Sequence, residues 1–314
     1  MSNNHKFTVN ELKTRLDKFL SEQFSDLSGK VISRGKIQKD IEAGAVTVNG
    51  EVQTSVKFIV RKDDKIHYTP IAIEAPGPKN IPLTTLYNNH GLLIIDKPAG
   101  LVVHPGAGFK GDSLAQALLY HFKDIHLVGE EGRSGIVHRI DKDTSGVMMV
   151  ALTPEMYDHL KDAFAERKVR KGYIALVKGK IEHQHGKIDS SLGKSQKDFR
   201  KYTTDVKDMV REKPSLTEYW VQGYYTDGVD FYTLIRVKLH TGRTHQIRVH
   251  FSSLGFPLVG DLLYGGKRVM KFGLERQFLH ASKIEVQLPN QEWVEADSKL
   301  PPDLSDILKK LKKL

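Results

Sequence analysis

Four prolines fall between residues 70 and 82, around Ala75-Pro76-Gly77-Pro78-Lys79-Asn80. Each proline fixes φ and lacks an amide proton, so no helix or central strand can run through this stretch. The chain is therefore expected to fold in parts: a small domain over 1–70, a linker over 71–84, a main domain over 85–300, and a terminal segment over 301–314. A length of 314 residues suits one large domain beside a small one. The longest apolar run, Val147 to Leu152, is six residues, far below the ~20 that cross a bilayer. The first twenty residues include Glu11 and Asp17 and lack the apolar stretch of a targeting peptide. A soluble, cytoplasmic protein with no membrane association is expected. The absence of cysteine excludes disulfides, thiolate zinc sites and cysteine nucleophiles. The 48 basic residues exceed the 38 acidic ones, giving +10, and 12 basic against 9 acidic residues precede the linker. The excess is thus spread over both domains and favours a polyanionic partner.

In the first domain Leu12, Leu16, Phe19 and Leu20 recur at helical spacing. A second helix is expected over Arg34 to Ala43, with Ser33 as N-cap, Ile37 and Ile41 buried, and Gly44 as the stop. Arg34, Lys36 and Lys39 are then its polar residues, which fit a solvated face as well as a nucleic-acid contact. Ala45-Val46-Thr47-Val48 reads as a strand, and Asn49-Gly50 as a type I′ hairpin turn, which needs positive φ at both positions.

The main domain opens with the apolar strand Leu92-Leu93-Ile94-Ile95, the turn-rich Asp96-Lys97-Pro98-Ala99-Gly100, and a resumed strand at Leu101-Val102-Val103. Further on, His138-Arg139-Ile140-Asp141-Lys142-Asp143-Thr144-Ser145-Gly146 separates Gly135-Ile136-Val137 from the apolar Val147 to Leu152. A polar loop between two apolar strands is where a rigid scaffold presents reactive groups, although any turn uses the same residue types. Arg170-Lys171-Gly172-Tyr173 is a basic turn feeding an alternating strand, in which Tyr173 fits an ordinary half-buried aromatic. In Gly242-Arg243-Thr244-His245-Gln246-Ile247-Arg248-Val249-His250-Phe251, a helix is expected with Thr244 as N-cap, Ile247, Phe251 and Leu254 inward, and Gly255 as the stop. Arg243 and Arg248 there suit phosphate binding or ion pairing. The five-residue spacing of His245 and His250 places them poorly for one metal, and no phosphate-cradling glycine loop is present.

Two resemblances follow from these blocks. Arg15 to Leu20, Ser33 to Ile41 and Gly44 to Gly50 resemble an S4 RNA-binding domain over roughly residues 12–66. From about Leu86 to Gln287 the chain resembles the RluA/RluD-type pseudouridine synthase family, most specifically in His138 to Gly146. Supporting blocks are Lys97 to His104, Arg170 to Tyr173, Gly242 to Arg248 and Pro257 to Asp261. An S4 domain ahead of the catalytic one is similar to the ribosomal-RNA members of that family. Ile140 and Val147-Met148-Met149 depart mildly from its pattern, and Ser190 to Pro214 matches it only loosely.

The resemblance implies an α+β catalytic domain with a mixed, mainly antiparallel sheet behind a small α/β S4 domain. It implies isomerisation of specific uridines to pseudouridine in structured RNA, 23S ribosomal RNA above all, with transfer RNA as another substrate class. The reaction breaks the N1–C1′ bond, turns the base and joins C5 to C1′ without cofactor or metal. Asp141 is then the catalytic carboxylate, as nucleophile or as base at a ribose proton, with Arg248 its ion-pair partner. Tyr173 would pack on the extruded uracil, and its hydroxyl is a candidate to remove the C5 proton. Arg139 would fill the vacated stack, with His138 and Arg243 also at the RNA, and Arg34, Lys36 and Lys39 would serve the S4 domain. A monomer is expected. Two other readings stay open: a binding-only ribosome-assembly factor, and a nucleoside hydrolase, whose chemistry usually requires a second carboxylate, a role that nothing assigns to the nearby Asp143. At the end of the chain, Leu304, Ile307, Leu308, Leu311 and Leu314 form an apolar stripe beside four lysines, expected as a packing helix with a basic outer face.

Overall fold

The computed structural model describes residues 4–27, 34–71, 77–104, 111–129 and 133–314. Ser33, the middle of the proline-rich segment at 72–76, and Pro105-Gly106 lie outside them. The chain divides into two compact units, Met1–Ala75 and Pro76–Leu314.

In the first unit an antiparallel sheet runs in the order His5–Thr8, Lys65–Tyr68, Val46–Val48, Glu51–Val52. Asn49 and Gly50 have φ of 52° and 89°, as the hairpin turn requires. The helices are Leu16–Leu27 and Arg34–Glu42, and Leu16, Leu20, Ile37 and Ile41 are fully buried with Ile66 and Tyr68. Leu12 is 85% exposed, because Lys13–Arg15 is instead a short strand paired with Ile59–Arg61. The helical stripe therefore starts one turn later than its spacing suggests.

Two buried aspartates tie this unit together. Asp17 accepts from both Arg15 nitrogens at 3.0 and 3.1 Å, from Arg34 at 3.0 and 2.8 Å, and from Gln38 at 2.7 Å. Asp40 accepts from the Tyr68 hydroxyl at 2.7 Å and pairs with Lys36. Burial opposes ionisation of Asp17, but the hydrogen bonds from Arg15, Gln38 and Arg34 outweigh it and lower its pKa from 3.8 to about 2. A depressed carboxylate stabilises fully above its unfolded pKa and loses that contribution as pH falls through its folded one. The first unit is expected to lose about 2 kcal/mol between pH 4 and 2 from this group. Acid titration of wild type and Asp17→Asn checks this: the variant lacks that step and is less stable at pH 7.

The second unit is built on one ten-stranded sheet. Its path runs His185–Asp189, Leu216–Thr226, Phe231–Leu239, Arg170–Lys178, Leu279–Gln287, Ser145–Ala151, Leu92–Lys97, Thr84–Asn89. Trp293–Asp297 pairs with Leu279–Gln287, and Lys312–Lys313 with Leu216–Thr226. Every pairing is antiparallel except that of Leu279–Gln287 with Ser145–Ala151, so the sheet is mixed and mainly antiparallel. Ser145–Ala151 and most of Leu92–Lys97 are buried, as their unbroken apolar runs require. Leu101-Val102-Val103 does not resume a strand; Val102 makes only an isolated bridge to Ser113.

Side chains alternate across a strand, so Tyr173 and Leu176 face opposite sides of the sheet. On the Tyr173 side, the helix Gln246–Ser253 packs Phe251 edge-on against Tyr219, with ring centroids 5.5 Å apart. On the Leu176 side lies the helix Pro302–Lys310, with Leu304 and Ile307 in a cluster with Leu176 and Tyr232. This helix ends at Lys310, earlier than the apolar stripe suggests: Lys312–Lys313 is strand, and Leu314 is 57% exposed.

Register carries the central residues to one place. Tyr173 stands opposite Ala281, and Ala281 opposite Gly146, at the end of the polar loop. Gly146 has φ +117°, and a Cβ there would lie 2.1 Å from the Ala281 carbonyl oxygen. Only glycine fits both demands. Gly146→Ala is expected to cost more than about 3 kcal/mol, measured by denaturant unfolding, because backbone rather than a flexible side chain must yield.

Candidate active site

The loop from Val137 to Thr144 crosses the end of the sheet and closes in a turn in which Thr144 N donates to the Asp141 carbonyl at 3.1 Å. Two cations grip the back of this turn. Lys97 is fully buried and gives its ammonium protons to the carbonyls of Pro98, Leu101 and Lys142 at 2.7, 2.9 and 3.0 Å. Burial lowers its pKa to about 8, against the opposing pull of Asp143 and Asp141. Arg276 donates to the Asp143 carbonyl at 3.1 Å and holds Asp303 of the last helix at 2.6 and 3.0 Å. Beside it, Gln277 donates to the Thr144 hydroxyl at 3.1 Å.

With its backbone held from behind, Asp141 turns its carboxylate into a cleft of about 420 Å³, whose lining includes His138, Arg139, Tyr173, Arg243, His245 and Arg248. Asp143 does not line it. Arg248 donates to Asp141 Oδ2 at 3.0 Å and grips Asp261 with two bonds, at 2.7 and 2.9 Å. Asp261 also accepts from Tyr264 N at 3.2 Å and so caps the short helix Leu262–Gly265. Burial alone would lower the pKa of Arg248; Asp261 first, then Asp141, hold it above the ordinary guanidinium value. The cation is therefore permanent, and one planar fork serves a structural and a cleft-facing carboxylate at once.

Tyr173 is buried on its strand, and burial, then the charge of Asp141, push its pKa up. Its phenol keeps its proton in the free protein. His138 accepts from Met149 N at 2.9 Å and stacks on Phe164 at 4.6 Å; burial, then Lys171, lower its pKa to about 3, so it is neutral. Arg243 donates to the Pro214 carbonyl at 3.2 Å. Arg139 is exposed at the cleft and makes no hydrogen bond or ion pair among the described residues. In the other unit Arg34 is bound to Asp17, Lys36 to Asp40 and the Ile71 carbonyl, and Lys39 is exposed.

The cleft helix differs from its expected outline. It spans Gln246–Ser253, and its N-cap position is His245 in the left-handed region at φ 57°, not Thr244. Leu254 is 51% exposed, because the helix ends before it. Lys97, Arg276, Asp261, Tyr264 and His245 received no roles from the sequence. One signal was available: a buried guanidinium has five donors, more than a single carboxylate can satisfy, so Arg248 called for a second acid.

A family model described as RNA pseudouridylate synthase matches residues 91–253, and one described as S4 domain matches residues 14–66. An uncharacterised RNA pseudouridine synthase of Aquifex aeolicus is 39% identical over 269 residues, 83% of this chain and 80% of its own. Ribosomal large subunit pseudouridine synthase D of Haemophilus ducreyi is 35% identical over 312 residues, 95% of this chain and 91% of its own. The solved structure of human RNA pseudouridylate synthase domain containing 1 superposes with a TM-score of 0.61 at 29% identity, covering 76% of this chain and 91% of that one. Among the described residues no helix is long and apolar enough to cross a membrane. The cleft with its arginine-held aspartate, the mainly antiparallel sheet behind it and these matches agree: the chain belongs to the RNA pseudouridine synthase family, carries an S4 domain, and is an enzyme that isomerises uridine in RNA.

Proposed function

We propose that this cleft isomerises uridines of large-subunit ribosomal RNA, with Asp141 as its catalytic carboxylate. One observation carries the assignment: Asp141 is held 3.0 Å from Arg248 in a cleft that Tyr173 also lines. Asp141 attacks C1′ or removes the C2′ proton, and the N1–C1′ bond breaks. The freed uracil turns and C5 bonds to C1′ as the Asp141–C1′ ester bond breaks, or as Asp141 returns its proton to C2′. The C5 proton then leaves and N1 takes up a proton. Either role of Asp141 neutralises its carboxylate. That step removes the charge that, after burial, raises the pKa of Tyr173. The phenol therefore gives up its proton more readily after bond cleavage than before it, as it must before its oxygen can take the C5 proton. The Tyr173 ring is the platform for the uracil, and Arg248 keeps Asp141 oriented throughout.

Extruding a stacked base costs a few kcal/mol. Arg139, whose guanidinium is uncommitted among the described residues, fills the vacated stack, since guanidinium planes stack on bases. Arg139→Ala is expected to lower the single-turnover rate roughly tenfold to a hundredfold, while RNA affinity in a filter-binding assay changes less than threefold. His138 shapes the loop, and Arg243 and the S4 residues Arg34, Lys36 and Lys39 supply salt-sensitive attraction to phosphates. The domains run over 1–70, a linker over 71–84, the catalytic domain over 85–300 and a terminal segment over 301–314, and the enzyme works as a cytoplasmic monomer. The hydrolase reading finds no second carboxylate in Asp143, which is outside the cleft lining. The target assignment is tested by mapping pseudouridine in total RNA from cells with and without the gene. Loss of particular large-subunit sites, restored by wild type and not by Asp141→Asn, is the expected result; losses confined to transfer RNA overturn the substrate.

A further inference from the structure

His245 is a non-glycine residue in the left-handed region, at φ 57° and ψ 17°, at the head of the cleft helix. Such a backbone is uncommon outside glycine and persists where surrounding contacts over-determine it, a situation that clusters at functional sites. The contacts here act on the ring. Nδ1 lies 2.8 Å from the Tyr264 hydroxyl, and that hydroxyl accepts the Tyr202 backbone N–H at 2.9 Å. Burial raises the pKa of Tyr264, so the phenol retains its proton. Among the described residues its acceptor is His245 Nδ1. Nδ1 is then unprotonated, and in a neutral imidazole the proton sits on Nε2. Burial lowers the pKa of His245 against the opposing charge of Asp141, which keeps the ring neutral. Nε2 lies 3.9 Å from Asp141 Oδ2, too far for a hydrogen bond, at the cleft. A backbone strain and a two-tyrosine relay thus present one fixed donor beside Asp141, with no acceptor in reach among the described residues.

We propose that this donor is a substrate contact: His245 Nε2–H donates to the 2′-hydroxyl oxygen of the target uridine. The inference rests on the reading of Asp141 given above. Whether Asp141 attacks C1′ or takes the C2′ proton, it meets the C1′–C2′ edge of the ribose. The hydroxyl on that edge is the 2′-OH, and Nε2 is near the same carboxylate oxygen. This hydroxyl is what lets a site tell RNA from DNA. His245 therefore contributes ribose recognition to the reaction as well as alignment at Asp141.

The test is a two-by-two comparison of single-turnover rates at saturating enzyme. Wild type and His245→Gly each act on RNA carrying uridine or 2′-deoxyuridine at the target position. Glycine removes the donor and relieves the positive φ, which offsets part of the cost of leaving the Tyr264 hydroxyl without its acceptor. Thermal unfolding of each variant confirms that it is folded at the assay temperature. His245→Asn, which tolerates the same backbone but is too short to reach, repeats the comparison. Loss of this one hydrogen bond predicts a fall of roughly tenfold to a hundredfold in wild type on the deoxy substrate. His245→Gly should lose a similar factor on uridine and little more on deoxyuridine. If the two factors multiply in both variants, the contact does not exist. An active Asp141→Asn would instead overturn the reading of the cleft itself, whereas an inactive one with multiplying factors removes only His245.

Discussion

Asp141→Asn is expected to reduce pseudouridine formation by a factor on the order of 10³ or more, equivalent to about 4 kcal/mol or more in the barrier. RNA affinity and the unfolding midpoint should stay close to wild type. The separation follows from the geometry: Lys97 and Arg276 fix the turn through backbone carbonyls, which the substitution leaves in place. Arg248 keeps its two bonds to Asp261 and still has the amide oxygen as a partner. Asparagine is nearly isosteric but can neither attack C1′ as a carboxylate nor accept a ribose proton. Single-turnover kinetics, denaturant unfolding and a binding isotherm on the same preparation check all three parts. A variant that lost binding and stability together with rate would make Asp141 a structural residue.

Arg248→Met should behave differently, because it removes the single cation between two acids. Asp261 is 1% exposed, and without the guanidinium its carboxylate is left in an apolar setting with one backbone N–H. Breaking a buried pair from one side typically costs about 3–5 kcal/mol. Loss of activity should therefore come with a large fall in unfolding free energy. The double substitution Arg248→Met with Asp261→Asn should recover part of the stability and none of the activity, since Asp141 still lacks its partner. Denaturant unfolding of the single and double variants measures the coupling. Equal stability of wild type and Arg248→Met would mean that the three groups do not share one network.

Local rules read much of this molecule. The hairpin at Asn49-Gly50, the helix Arg34–Glu42 and the buried strands at Leu92–Lys97 and Ser145–Ala151 follow from turn chemistry and apolar pattern, because each is decided within a few residues. Where neighbours in space decide, the sequence is less informative. Leu12 has helical spacing but is drawn into a strand by Ile59–Arg61, and the apolar stripe at the end of the chain stops at Leu311 because Lys312–Lys313 pairs with Tyr225-Thr226. The pairing of Asp141 with Arg248 spans 107 residues, so no periodicity or spacing contains it; it came from resemblance. The support around it is further from view. Arg276 reaches the loop 133 residues away, and His245 owes its orientation to Tyr264 and Tyr202, which sit in segments with no shared pattern.

The central claim is that the Asp141 carboxylate drives an isomerisation in which C5 loses its hydrogen as C5 joins C1′. RNA transcribed with 5-tritiated uridine reports this directly. Wild type is predicted to release tritium to water in equal amount to the pseudouridine found on nucleoside analysis, with no free uracil, and Asp141→Asn to release none above background. Tritium release by Asp141→Asn at the wild-type rate, or free uracil in place of pseudouridine from wild type, would contradict the account.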